Sequence, residues 1–174
     1  MANKTFFEKV SFAQWVLDAY RKTLDEITPT QESDYRKEYD SIRLPKRATS
    51  HSAGYDIFST FDFDITQQQD VKLPLGWKVS LKDDEFLMIV PRSGLGFNFY
   101  TRLANTLGIV DCDFYNNEKN EGHCWIKIRN EGLTPLYAKR GDAIAQAIIV
   151  PFRLVDGDTL EGATRKGGFG STSE

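Results

Sequence analysis

Sulfur and imidazole are scarce in this chain. Of 174 residues, two are cysteine, Cys112 and Cys124, and two are histidine, His51 and His123. No C-x-x-C spacing occurs. The thiols therefore read as free, in a reducing compartment, and so few ligands argue against a metal site built from them. Long apolar runs are missing too: no stretch reaches the roughly 18 residues of a membrane span, and no apolar core sits between a basic flank and a cleavage site at the N-terminus. A cytoplasmic protein without membrane contact is expected. Neither sign of charge dominates, with 22 basic against 25 acidic residues and a net charge of −3. That excludes wholesale binding to nucleic acid, and a small anionic ligand would need a locally basic site. Internal repeats and low-complexity tracts are absent. What remains is globular: 40% hydrophobic and 27% charged residues, enough for one cored domain with some chain left over.

The first 40 residues differ from the rest. Thr5-Phe6-Phe7-Glu8 has the form of a helix capping box. Apolar residues then fall at Phe6, Val10, Ala13, Leu17, Tyr20, Leu24 and Ile27, in steps of four and three. That stripe predicts an amphipathic helix from Phe6 to Ile27, ended by Thr28-Pro29. A second short helix is expected from Ser33 to about Tyr39. The stripe could pack on its own domain or offer a face to a protein partner, and both readings stay open.

From about Ser41 the texture becomes short strands between turns. Runs at 42–45, 53–59, 70–73, 76–81, 85–90, 122–129 and 143–150 are β-branched or aromatic, bounded by Gly, Pro, Asn and Asp. The expected fold is mainly β, a sandwich, barrel or jelly roll. Several stretches are unusual. In "SAGYDIF" Asp56 enters a strand just after a glycine. "PRSGLGF" places Arg92 and Ser93 on a glycine-rich turn after a strand, where a guanidinium fork, a hydroxyl and open N–H groups suit phosphate. "LANTLGIVDCDFY" interrupts an apolar run with Asn105, Asp111 and Asp113, and buried carboxylates need partners or a task. "KRGDAIAQAIIVP" carries one amide, Gln146, in an apolar strand. "RKGGFGST" ends the chain with glycines around Phe169, either as a frayed terminus or as a segment that orders on an anion.

Taken in order, AGYDI, PRSGLG, GIVDCDFY, GDAIAQ and RKGGFGST closely resemble the five signature motifs of the trimeric deoxyuridine triphosphatases (dUTP diphosphatases). The resemblance covers about residues 42–173. Asn117-Glu118-Lys119-Asn120-Glu121-Gly122-His123 and Asp156-Gly157-Asp158 look like the phage and Gram-positive branch, which for a phage-encoded chain would place it in the host cytoplasm.

The resemblance implies a jelly-roll β-barrel forming a homotrimer, with active sites shared between subunits. It implies a core over 41–160 and a Gly-rich lid over 161–174, preceded by the N-terminal helical extension over 1–40 that the stripe predicts. The implied reaction is hydrolysis of dUTP to dUMP and pyrophosphate with Mg2+ on the triphosphate, which keeps uracil out of DNA and supplies dUMP. Asp111 matches the catalytic carboxylate that orients and deprotonates water. Arg92, Ser93, Gly94 and Gln146 match phosphate binders. Asp56 matches the carboxylate that meets the metal through water. Asn105, Gly108 and Ile109 match the hairpin that reads uracil, and Phe114 stands where a Tyr usually lies beneath deoxyribose. Tyr115-Asn116 replaces the commoner Arg-Gly or Gln-Gly. In the tail, Phe169 matches the ring that stacks on uracil, while Arg165 or Lys166, with Ser171 and Thr172, matches contacts to the outer phosphates.

Two rivals follow. The dCTP deaminases share the fold but need a glutamate where Trp125-Ile126-Lys127-Ile128 places Lys127, which argues against deamination. The other is a nucleotide-gated regulatory protein on the same scaffold, acting through the N-terminal helix. Cys112, beside Asp111, reads as a buried, inert thiol.

Overall fold

The computed structural model describes residues 4–158. The described residues form twelve strands. They are β1 (Phe6–Lys9), β2 (Lys46–Arg47), β3 (Tyr55–Phe58), β4 (Phe63–Ile65), β5 (Asp70–Pro74), β6 (Trp77–Ser80), β7 (Glu85–Pro91), β8 (Thr101–Leu103), β9 (Gly108–Asp111), β10 (Trp125–Asn130), β11 (Leu136–Ala138) and β12 (Ala143–Pro151). In strands such as β7 and β10 inward apolar side chains alternate with more exposed ones. In β10, Ile126 and Ile128 point inward while Lys127 points out. The main sheet runs β2-β3-β12-β7-β9, and β5-β10-β8 forms a second sheet, with the pairs β1-β6 and β11-β4 beside them. All the pairings are antiparallel. One core lies between, centred on Ile57, Leu75, Trp77, Leu87 and Ala147, each with no exposed surface. This is the expected mainly β, jelly-roll type of chain; its ladders do not close into a continuous barrel.

The N-terminal region departs from the single helix that its stripe predicts. Phe6–Lys9 is strand β1, laid on β6 in the register Phe6↔Ser80. There is no capping box at Thr5. Its hydroxyl donates to Glu85, and Glu8 accepts from the Tyr115 hydroxyl. The reason is tertiary: Phe7 gains the Trp77 ring, 5.3 Å away edge to face, and the Tyr55 ring at 5.4 Å. Helix α1 (Phe12–Tyr20) starts where Ser11 takes an extended conformation and caps the N–H of Gln14. A short 3-10 turn (Leu24–Glu26) follows. Thr28-Pro29 begins a helix instead of ending one. Thr28 and Gln31 form a capping box with Pro29 in the first turn of α2 (Pro29–Asp40), the position where a missing N–H costs least. The expected second helix is therefore present and longer. Residues 42–45 are not a strand.

The extension docks on its own chain. Trp15 and Val16 are fully buried with Val10 and Ile42, and Trp15 stacks on Phe61 at 5.6 Å. Arg140 Nη2 holds Glu38 of α2 at 2.6 Å. The polar contacts converge on the segment after the third motif. Glu121 accepts from Ser11 N at 2.9 Å and Ser11 Oγ at 2.6 Å. Burial pushes the Glu121 carboxyl up, but the Ser11 donors and Lys78 outweigh it and hold it below its ordinary value. Lys78 of β6 also reaches Asn116 Oδ1 at 2.6 Å, while the Tyr115 hydroxyl reaches Glu8 of β1, so Tyr115, unexplained as a motif variation, is a docking residue for the extension and Asn116 a contact within the body. His123 is fully buried. Gly76 N–H donates to its Nε2 at 2.7 Å, which makes that nitrogen an acceptor and leaves Nδ1–H for Asp18 of α1. Gly122 has φ +81°, and a Cβ there would lie 2.6 Å from the Phe114 carbonyl oxygen.

If the extension is part of the fold, Trp15→Ala should cost about 3–5 kcal/mol and leave one cooperative urea transition. Separate transitions, read by intrinsic fluorescence and far-UV circular dichroism, would show an independent accessory helix.

Candidate active site

Two groups of the expected site residues assemble along β7 in the described chain, one at its C-terminal end and one running from Gly108 opposite Ile89 to Asp111 opposite Phe86. The first lies at its C-terminal end. β12 sits between β3 and β7, so Gln146 pairs with Asp56 on one side and Val90 on the other. Arg92 follows Pro91 and places Nε 3.4 Å from Asp56 Oδ1, the guanidinium 46% and the carboxylate 18% exposed. Gly54 makes room for the amide: a Cβ there would stand 2.5 Å from Gln146 Oε1. Ser93 and Gly94 are not on a turn but open a short helix, α3 (Ser93–Phe99), because the Arg92 carbonyl accepts from the N–H groups of both Leu95 and Gly96. A hollow of about 370 Å³ is lined by Arg92, Ser93, Gly96, Phe97 and Tyr100. Phe97 and Tyr100 are 84% and 71% exposed.

The second group lies on the β8–β9 connection, which carries the chain from the second sheet to the main one through a single bridge, Leu103↔Thr106. Gly108 faces Ile89, and Asp111 faces Phe86 near the start of β7. Asp111 then leads into a 3-10 turn, Cys112–Phe114. A deeper cavity of about 350 Å³ is lined by Asn105, Gly108, Ile89, Leu103, Trp125 and Lys127, in the size range of small-molecule sites. Ile109 is half exposed, so only its backbone is committed to the ladder, whereas Phe114 is nearly buried at 7% exposure. Lys127 and Trp125 are additions that motif matching passed over. Their signal was alternation, which turns odd-numbered residues of β10 outward, towards that connection.

Within a single chain Asp111 stands remote from Arg92. Arg92 lies six residues along from the partner of Asp111, Phe86. At ~3.4 Å per residue that is about 20 Å, far beyond the ~3 Å reach of a general base. Among the described residues no cluster of three or more His, Cys, Asp or Glu could hold a metal. A partly exposed carboxylate beside a guanidinium, as at Asp56, fits a hydrated Mg2+ carried by phosphate oxygens better than an all-protein cage. No described helix is long and apolar enough to cross a membrane. Arg165, Lys166, Phe169, Ser171 and Thr172 lie outside the described residues.

A mainly β chain that presents a base-sized cavity and an anion-suited hollow fits a nucleotide-binding jelly roll. Comparison with known proteins narrows the class. The family model described as dUTPase matches residues 40–173. The deoxyuridine 5'-triphosphate nucleotidohydrolase of Lactococcus lactis is 36% identical over 132 residues, covering 75% of this chain and 88% of that protein. That of Burkholderia lata is 35% identical over 137 residues, with 74% and 88% covered. The crystal structure of dUTPase from Streptococcus mutans superposes with a TM-score of 0.63 at 28% identity, over 87% of this chain and 98% of that one. A Staphylococcus bacteriophage 80alpha dUTPase shares the fold, with a TM-score of 0.61 at 17% identity over 93% and 99%. This chain belongs to the dUTPase family.

Burial holds the Cys112 thiol above its ordinary value, with the Asp113 and Asp83 carboxylates adding to the effect. The thiolate is therefore scarce near neutrality. At pH 8 iodoacetamide should alkylate Cys112 more slowly than free cysteine and leave the buried Cys124 unmodified until the protein unfolds, as read by mass spectrometry.

Proposed function

We infer that this chain is a dUTP diphosphatase, hydrolysing dUTP to dUMP and pyrophosphate. The observation that carries this reading is the division of the site. The carboxylate of Asp111 stands at the start of β7 and a phosphate-suited cluster at its other end, with the base pocket beside Ile89 between them. A homotrimer with sites between subunits is the assembly that would join them, Asp111 of one copy meeting Arg92 and Gln146 of the next. Closed cyclic symmetry makes three equivalent sites, and the exposed Phe97 and Tyr100 rings are apolar surface that such an interface would cover.

In that site Asn105 and the backbone of Gly108 and Ile109 bind the uracil edge. Phe114 supports the sugar from below. Arg92, Ser93, the Gly94 N–H and Gln146 neutralise and orient the phosphates, which is most of what phosphoryl chemistry asks of a protein. Asp111 accepts a proton from the water that attacks the α-phosphorus. Mg2+ would supply charge neutralisation on the triphosphate, and Asp56 would meet it through water. The tail residues Arg165, Lys166, Phe169, Ser171 and Thr172 would close over the nucleotide. The same reading divides the chain into an extension over 1–40, a core over 41–160 and a lid over 161–174, and places it in the cytoplasm where dUTP forms. The residues of α1 buried on the body are Trp15 and Val16, which are not in the stripe read from the sequence, whereas Leu17 and Leu24 of that stripe are each 44% exposed and leave it a face for a protein partner.

Asp111→Asn keeps the shape and removes the base. Pyrophosphate release from dUTP should fall by ~10²–10⁴-fold with dUMP binding retained. Wild-type turnover of dUTP but not of dTTP, dCTP or UTP would complete the identification. Release from none of the four would leave the scaffold a binding protein.

A further inference from the structure

The base pocket has an unusual wall. Its β8–β9 connection leaves the second sheet at Lys127, whose carbonyl accepts from Ala104 N–H at 2.8 Å. Lys127 pairs directly with Lys72 across β10 and β5. Both lysines line the cavity with Trp125, Asn105 and Gly108. The Lys72 ammonium lies 4.6 Å from the centre of the Trp125 ring. The Lys127 ammonium rests 3.1 Å from Asp70 with its side chain 47% exposed. Asp70 also has Arg129 at 3.8 Å, so it keeps a cation if Lys127 turns away. None of the residues lining the cavity is acidic.

The chemistry of this wall is one-sided. Asn105 can donate or accept, but an ammonium only donates. A pyrimidine with a carbonyl at C4 offers it an acceptor. One with an amine there offers donor against donor. We propose that Lys127 is a specificity-determining residue of the base pocket, swinging from Asp70 to donate to O4 of the bound uracil. The proposal rests on the reading of this cavity as the uracil site. When the acceptor is missing Lys127 stays with Asp70, so the preference is the worth of the one charge-assisted hydrogen bond that uracil gains.

The test alters each side of the contact in turn. Calorimetry would compare dUMP with 4-thio-dUMP, which keeps the ring and its N3–H and replaces O4 by sulfur, a weaker acceptor, on wild type, Lys127→Met and Lys127→Arg. Wild type should prefer dUMP by roughly 10-fold, the scale of a hydrogen bond to a charged group. The Met variant should bind both ligands at the weaker affinity, and the Arg variant should restore part of the preference. For turnover, Lys127→Met should raise the KM for dUTP with kcat nearly unchanged, and should narrow the ratio of dUTP to dCTP. A merely structural lysine would not move the O4 preference. A Met variant that keeps the wild-type ratio of dUMP to analogue overturns the role of Lys127 and leaves the dUTP reading standing. A wild type that neither binds dUMP nor cleaves dUTP overturns both.

Discussion

The antiparallel register of β7 with its two neighbours fixes everything that matters for the site. On one side β12 brings Gln146 to Val90 and carries Asp56 on the strand beyond. On the other side β9 sets Asp111 against Phe86. A slip of one residue on either side would turn Gln146 or Asp111 to the opposite face of the sheet. Such slips are opposed by the fully buried Ala145 and Ala147 of β12 and by Leu87 and Ile89 of β7, none more than 2% exposed. The hydrophobic core thus acts as a ruler. It holds Arg92 and Asp111 about 20 Å apart along one strand.

The β body was legible because alternation and turn residues speak to it directly. Residues 70–73, 76–81, 85–90 and 143–150 lie in strands within a residue or two of the expected bounds. Short strands such as β4 and β11 escaped, since three residues give too little period to read. The N-terminal stripe misled for a physical reason. Steps of four and three also place Phe6 and Val10 on either side of an extended segment and its turn into a helix. The decision lay with Trp77 and Tyr55, some 50–70 residues away. At Thr28-Pro29 the local signal was sound, but proline both ends and begins helices, and the polar run behind it hides the beginning.

The site was legible where chemistry demands a residue type. Asp56, Arg92, Asn105, Asp111 and Gln146 all lie in one of the two clusters. What stayed hidden are residues whose meaning is a contact. Tyr115 and Asn116 appeared as motif departures until Glu8 and Lys78 stood opposite them. His123 is a lone histidine in a polar insert, and only full burial between Gly76 and Asp18 shows it to be a structural bridge.

The cap on α1 has a consequence for biosynthesis. Ser11 N–H is satisfied by a carboxylate 110 residues further along the chain. At translation speeds of ~5–20 residues per second, the first helix waits roughly 5–20 s for that partner. During this time Trp15 has no Phe61 and then no His123 to lie against. The part of the protein made first is therefore among the last to find its place, and a nascent chain must carry an uncovered aromatic face past the ribosome until the segment around Glu121 emerges to receive it.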